Sequence, residues 1–112
     1  MTKYKLLVLT DPVAGEEDAY NDWYTNRHVH DVASLPGFVS AQRFKLVREV
    51  LGEAKNTYLA IYDIEANSVD EDVDRMLNAA GSDRMPTCDS LDMTRVESFL
   101  FEEITPLVFG DS

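Results

Sequence analysis

The segments with strand character in this chain are apolar on both faces, and there are too few helices to cover both. Leu6-Leu7-Val8-Leu9 is continuously apolar and stops at Asp11-Pro12, the pattern of a strand buried on two sides. The last strand, read over about Met93 to Ile104, sets Val96, Leu100 and Ile104 on one side and Phe99 and Phe101 on the other. Between these ends only two stretches have helical period. Two helices cover one face of a four-stranded sheet, so the second apolar face would lie open on a monomer and form a patch larger than soluble monomers tolerate. A homodimer that closes this face is the expected solution.

The order of elements follows from the periodicities. From Gly15 three acids fill a first helical turn, and Ala19, Tyr20, Trp23, Tyr24, Arg27, His28, Asp31 and Val32 recur three and four apart until Leu35-Pro36-Gly37 stops the helix. Phe38 to Val47 and Thr57 to Ile64 are paired antiparallel strands joined by a turn over Val50 to Asn56. A second helix, capped by Asn67 or Ser68, runs through Val69, Val73, Met76, Leu77 and Ala80 to Gly81. Ser82 to Leu91 is polar, aperiodic and long enough to cover something. The resulting β-α-β-β-α-β order predicts an α+β, ferredoxin-like fold with a four-stranded antiparallel sheet. The whole of 1–112 reads as one domain, with 105–112 as a C-terminal extension whose Pro106-Leu107-Val108-Phe109 can lie across a partner.

Charge excludes several classes of partner. Ten Lys plus Arg against 21 Asp plus Glu leave −11, which repels nucleic acid and anionic membranes. The acidic runs Glu16-Glu17-Asp18 and Asp70-Glu71-Asp72 read as solvated helix starts. Cys88 is the sole cysteine, so neither an internal disulfide nor a paired-cysteine metal site can form. With only four consecutive apolar residues near the start, neither a signal peptide nor a membrane span is expected, and the cytoplasm is the default location. Nucleotide-binding loops, hydrolase elbows and HExxH are absent from the sequence.

The most informative stretch runs from Tyr20 to Phe38. Its Trp23-Tyr24 pair, His28 four residues after Tyr24, then Asp31-Val32, Pro36-Gly37-Phe38 and Ala41-Gln42-Arg43-Phe44 resemble the dimeric α/β barrel proteins, especially their EthD-like branch. The likeness covers residues 3–105 by fold and about 10–46 by motif. It implies a homodimer with a pocket for a small organic, often aromatic, molecule. Proteins of this superfamily include isomerases, polyketide cyclases, cofactor-independent monooxygenases, haem-degrading enzymes and proteins without established activity. One departure stands out: the common His-x-Pro is here His28-Val29-His30. The second imidazole is about 200° around a regular helix from the first, so the two cannot share a ligand and no metal site is expected.

His28 is three residues before Asp31, so an imidazole, an orienting carboxylate and the Tyr24 phenol can meet on one helix face. An imidazole with its reference pKa near 6.5 suits general acid-base work; a helix-end histidine bonded to Asp31 is the alternative. Trp23 and Phe44 are candidate pocket walls; Tyr20, Trp23 and Tyr24 form an aromatic stripe that reads first as core and can still line the pocket. Arg43 can orient a carboxylate or phenolate, or pair with one of the many acids. Tyr58 and Tyr62 share a strand face and can add a hydroxyl. The function expected from these parts is cofactor-free proton transfer, of isomerase, cyclase or lyase type, on a small apolar molecule. The alternatives are a cofactor-independent or haem-linked monooxygenase and a non-catalytic ligand-binding protein of a degradative oxidation pathway.

Overall fold

The computed structural model describes residues 1–111. Strands β1 (Thr2–Thr10), β2 (Phe38–Lys45), β3 (Tyr58–Ala66) and β4 (Glu97–Glu102) form one sheet in the order β2-β3-β1-β4, every neighbouring pair antiparallel. This is the expected ferredoxin-like α+β arrangement, with its helices inserted between β1 and β2 and between β3 and β4. The first helical stretch consists of α1 (Glu17–Trp23), a π-helical turn (Tyr24–His28) and α2 (Val29–Ala33). The second is α3 (Val69–Ala79). The last strand starts later than Met93, because Asp92 accepts a hydrogen bond from the Thr94 amide and winds Met93–Arg95 into a 3₁₀ turn.

Strand alternation explains the single core. Leu6 sits between Tyr62 of β3 and Leu100 of β4, and along β3 Tyr58, Ala60, Tyr62, Ile64 and Ala66 all point toward the helices and are buried. Tyr20, Tyr24, Val32 and Leu35 meet them from the helical side. On the opposite face Leu7, Leu9, Leu59 and Ile61 are half-buried, while Phe44, Phe99 and Phe101 are exposed. No helix of the described chain covers that face, and none is long and apolar enough to cross a membrane.

The turn from α2 into β2 depends on Gly37. Its φ is +87°, in the left-handed region that favours glycine. A methyl group there would also overlap the Asp72 carboxylate, which lies at the start of α3 and accepts a hydrogen bond from Arg75 at 2.7 Å. Gly37→Ala is therefore expected to lower stability by more than ~1 kcal/mol, with a melting temperature several degrees down. Adding Asp72→Ala should return part of that loss by removing the overlap while leaving the backbone strain. Thermal denaturation of the single and double variants checks both parts.

Candidate functional site

The π-helical turn places His28 where the helix faces a segment of loop. A π turn spreads its residues more widely than an α turn and often marks a functional position. Here it brings the His28 ring nearly parallel to Trp23, with centroids 4.6 Å apart and planes at 21°. Tyr24 meets the same imidazole edge-on at 4.9 Å and 89°. Trp23 and His28 form one wall of a cavity of about 280 Å³. The other walls come from the segment after α3, chiefly Ala80, Met85, Pro86, Leu91 and Met93. Thr87 is the only other polar side chain in the lining.

The covering segment is fastened to the helix. The Trp23 indole N–H donates to the Pro86 carbonyl at 3.3 Å, and Met85 is buried. At one end Gly81 has φ +84° and donates its amide to the Met85 carbonyl at 2.9 Å. At the other Leu91 pairs with Pro12 beyond β1. Ser82 to Leu91 thus covers the imidazole, as its length and composition suggested.

Electrostatically the cavity is uncharged, with no Asp, Glu, Lys or Arg in its lining. Burial pushes the His28 imidazole down from its usual 6.5 to about 4; Asp31 opposes this and Arg43 adds to it. Nδ1 of His28 is buried without a hydrogen-bond partner among the described residues. Burial likewise pushes the Tyr24 phenol up to about 12, and the buried Tyr62 hydroxyl, 3.5 Å from that of Tyr24, is also held up by burial first and by Tyr24 second. Both phenols stay protonated at any physiological pH.

Several sequence-based assignments change. Asp31 does not orient His28: its carboxylate accepts from Arg27 Nε at 2.8 Å, because the guanidinium four residues earlier is a charged donor, whereas the buried imidazole is neutral. Tyr24 packs behind the imidazole with its hydroxyl turned to Tyr62, so it does not present a donor to the cavity. Phe44 lies on the far face of the sheet; Ala41 and Arg43 face the helices, and alternation sends Gln42 and Phe44 the other way. Among the described residues Arg43 makes no ion pair, and it is outside the lining of the cavity. Its guanidinium lies 4.4 Å over the Tyr24 ring and 5.4 Å from the rings of Tyr20 and Tyr58, and it donates to Thr25 Oγ1 at 2.7 Å. Tyr20, Tyr58 and Tyr62 are core: Tyr20 bonds Thr10, and Tyr58 bonds Glu17 and Asn21. His30 is exposed and outside the lining. Of the residues singled out, only Trp23 and His28 line the cavity. The loop residues opposite them were missed individually, because no periodicity marks which loop side chains point inward.

The lining has room for a small flat molecule but suits a haem poorly. It contains no Lys or Arg to meet propionates, and the imidazole is flanked by Trp23 and Tyr24 rather than facing an open slot. Among the described residues no group of three His, Cys, Asp or Glu is placed to hold a metal.

Solved structures share this architecture. An EthD family protein from Bacillus halodurans superposes with a TM-score of 0.62 at 18% identity, over 93% of this chain and all of that one. The haem degrader MhuD of Mycobacterium tuberculosis gives 0.60 at 18%, covering 94% and 99% of the two chains. SnoaB, a cofactor-independent oxygenase from Streptomyces nogalater, gives 0.52 at 16%, over 96% and 98%. No protein-family model matches the sequence, nor does any curated protein. At these identities the likeness is one of fold, and the fold is the one the motif around His28 implied.

Trp23 is the only tryptophan and stacks on His28, so its fluorescence reports the imidazole. On acidification the emission should hold steady until pH nears 4 and then fall as the imidazolium forms, with no such step in His28→Leu. Stability should follow the same group. The unfolded chain takes up a proton near pH 6.5 that the folded site resists, so about 3 kcal/mol is lost as pH falls from 6.5 to about 4 and no more is lost below. Denaturant titrations across that window should be flatter for His28→Leu.

Proposed function

We propose that the chain binds a small, largely apolar, aromatic or polyketide-like molecule in the cavity beside His28 and moves a proton on it without a cofactor. The observation that carries this reading is the imidazole itself: half-buried, uncharged, without a protein hydrogen bond among the described residues, and set against a cavity whose only other polar side chain is Thr87. A structural histidine normally spends at least one nitrogen on a partner. This one keeps an acceptor lone pair for an acidic C–H or O–H of a ligand held flat against the apolar wall. Proton transfer leaves a ligand anion against the imidazolium, and in an uncharged cavity that contact offsets the cost of charging the ring. Because neither nitrogen is fixed by a carboxylate, the proton can be returned to a different ligand atom, which is the requirement for an isomerase, a cyclase or a lyase.

A monooxygenase reading shares the first step and is favoured by the fold of SnoaB, a cofactor-independent oxygenase. The ligand anion would then pass its electrons to dioxygen instead of being reprotonated. Binding without turnover is the third reading, in which the cavity only holds its ligand. A second copy covering the open sheet face completes the functional unit, since Phe44, Phe99 and Phe101 are left to water in a single chain.

Deuterium exchange into α-tetralone, a neutral carbon acid of suitable size, separates these readings. Wild type should accelerate exchange, His28→Ala should lose about 10²- to 10⁴-fold of that acceleration, and His30→Ala should match wild type. Oxygen uptake with α-naphthol would favour the oxygenase. Quenching of Trp23 by both compounds with neither exchange nor uptake would leave binding alone. Sedimentation at micromolar concentration should give a dimer, with a folded monomer removing the proposed pairing.

A further inference from the structure

Arg43 is a cation without an anion. The chain carries 21 acids, and three of its other arginines take one: Arg27 pairs with Asp31, Arg75 with Asp72 and Arg95 with Asp11. Among the described residues Arg43 pairs with none, and its Nη2 is buried without a hydrogen-bond partner. Glu17, on the helix above, accepts from the Tyr58 hydroxyl instead. The faces of three tyrosine rings hold the guanidinium in place. An uncharged side chain of the same length would fill that space without leaving a buried N–H unpaired. Packing accounts for the volume of Arg43 and not for its charge.

The position of that charge relates it to His28. The guanidinium lies 4.4 Å from the centre of the Tyr24 ring, and the His28 ring lies 4.9 Å from the same centre. Its Nη1 donates to Thr25 Oγ1 at 2.7 Å, and Thr25 belongs to the π turn that ends at His28. One side chain of the edge strand thus grips the turn that carries the imidazole and sets a positive charge near it. At a separation of ~10 Å and an effective dielectric of ~20, a like charge lowers proton affinity about tenfold. Arg43 is only half-buried, and contact with water reduces the effect to ~3- to 10-fold.

We infer that Arg43 is a positioning residue for His28: it holds the π turn through Thr25, and its charge opposes a second positive charge on the imidazole, which stays a proton acceptor. The other groups about the ring are paired or neutral. On its own helix Asp31 is bonded to Arg27, and His30 is exposed. The Tyr24 and Tyr62 phenols, from the turn and from β3, stay protonated. The covering segment turns Met85, Pro86, Thr87 and Leu91 to the cavity and leaves Asp83, Arg84, Cys88 and Asp89 outside its lining. Burial is the first cause of the low basicity of His28; Asp31 opposes it and Arg43 adds to it. The catalytic part of this role rests on His28 acting as the base proposed above, whereas the effect on its titration does not.

Proton NMR titration of the two imidazoles in the full chain tests this, with His30→Gln assigning the signals. Arg43→Met should raise the His28 midpoint by about 0.5 to 1 pH unit, the ~3- to 10-fold change in proton affinity above, without moving that of His30. Arg43→Lys, which keeps the charge, should return the midpoint most of the way to wild type. Arg43→Gln keeps an N–H for Thr25 and loses the charge, so it should titrate like Arg43→Met and stands in for it if that variant does not fold. Thr25→Val keeps the charge and loses the tie; it should leave the midpoint near that of wild type and weaken the shift that the Trp23 and Tyr24 rings impose on the His28 signal. An unmoved His28 midpoint in the uncharged variants, with only a lower melting temperature, would overturn the inference and leave Arg43 as packing. Arg43→Lys that titrates like Arg43→Met would overturn it too. In deuterium exchange into α-tetralone, the acid limb of the rate should move up with the midpoint in Arg43→Met. A moved midpoint in a protein whose wild type shows no exchange would remove the proposed reaction and leave the electrostatic role standing.

Discussion

The rings of Tyr20, Tyr24, Tyr58 and Tyr62 fill the space between the first helical stretch and β3, and the geometry of the cavity is set from behind by this packing. Tyr20 meets Tyr24 at 5.7 Å and Tyr58 at 5.1 Å, separations at which aromatic pairs add to the gain from burial itself. Arg43 closes the stack from the edge strand by lying over three of the rings. Tyr24 is the member shared with the site: one side of it faces Arg43, and its ring abuts His28. The imidazole thus rests on core, and its low basicity follows from the same burial that holds the sheet and helix together.

This packing also accounts for the parts of the site that read correctly from sequence and those that did not. The fold was legible because its two strongest signals are period and count: strands apolar on both faces, and only two helical stretches to set against them. Trp23 and His28 were legible because an aromatic pair followed at helical spacing by a histidine is visible one residue at a time. Asp31 was misassigned because spacing alone cannot rank competitors. It is three residues from His28 and four from Arg27, and the choice depends on which donor is charged, a property that burial decides. Phe44 was misassigned by neglecting alternation, since neighbours on a strand cannot serve the same cavity as Arg43 was supposed to.

The π-helical turn was beyond reach for a different reason. Nothing in Tyr24-Thr25-Asn26-Arg27-His28 disfavours an ordinary α turn, and the register is chosen by tertiary contacts: Tyr24 and Val32 both have to reach the core, while Trp23 and His28 turn toward the covering loop. The lining contributed by Met85, Pro86, Leu91 and Met93 has the same origin. Loop side chains acquire direction from the elements they fold against, here Trp23 and the end of β1.

The hydrogen bond from the Trp23 indole to the Pro86 carbonyl makes the covering segment part of the imidazole's surroundings. Burial is the main cause that lowers the basicity of His28, so that basicity depends on how closely the segment packs over the ring. A change confined to the loop therefore reaches the proton affinity of a side chain carried by the helix.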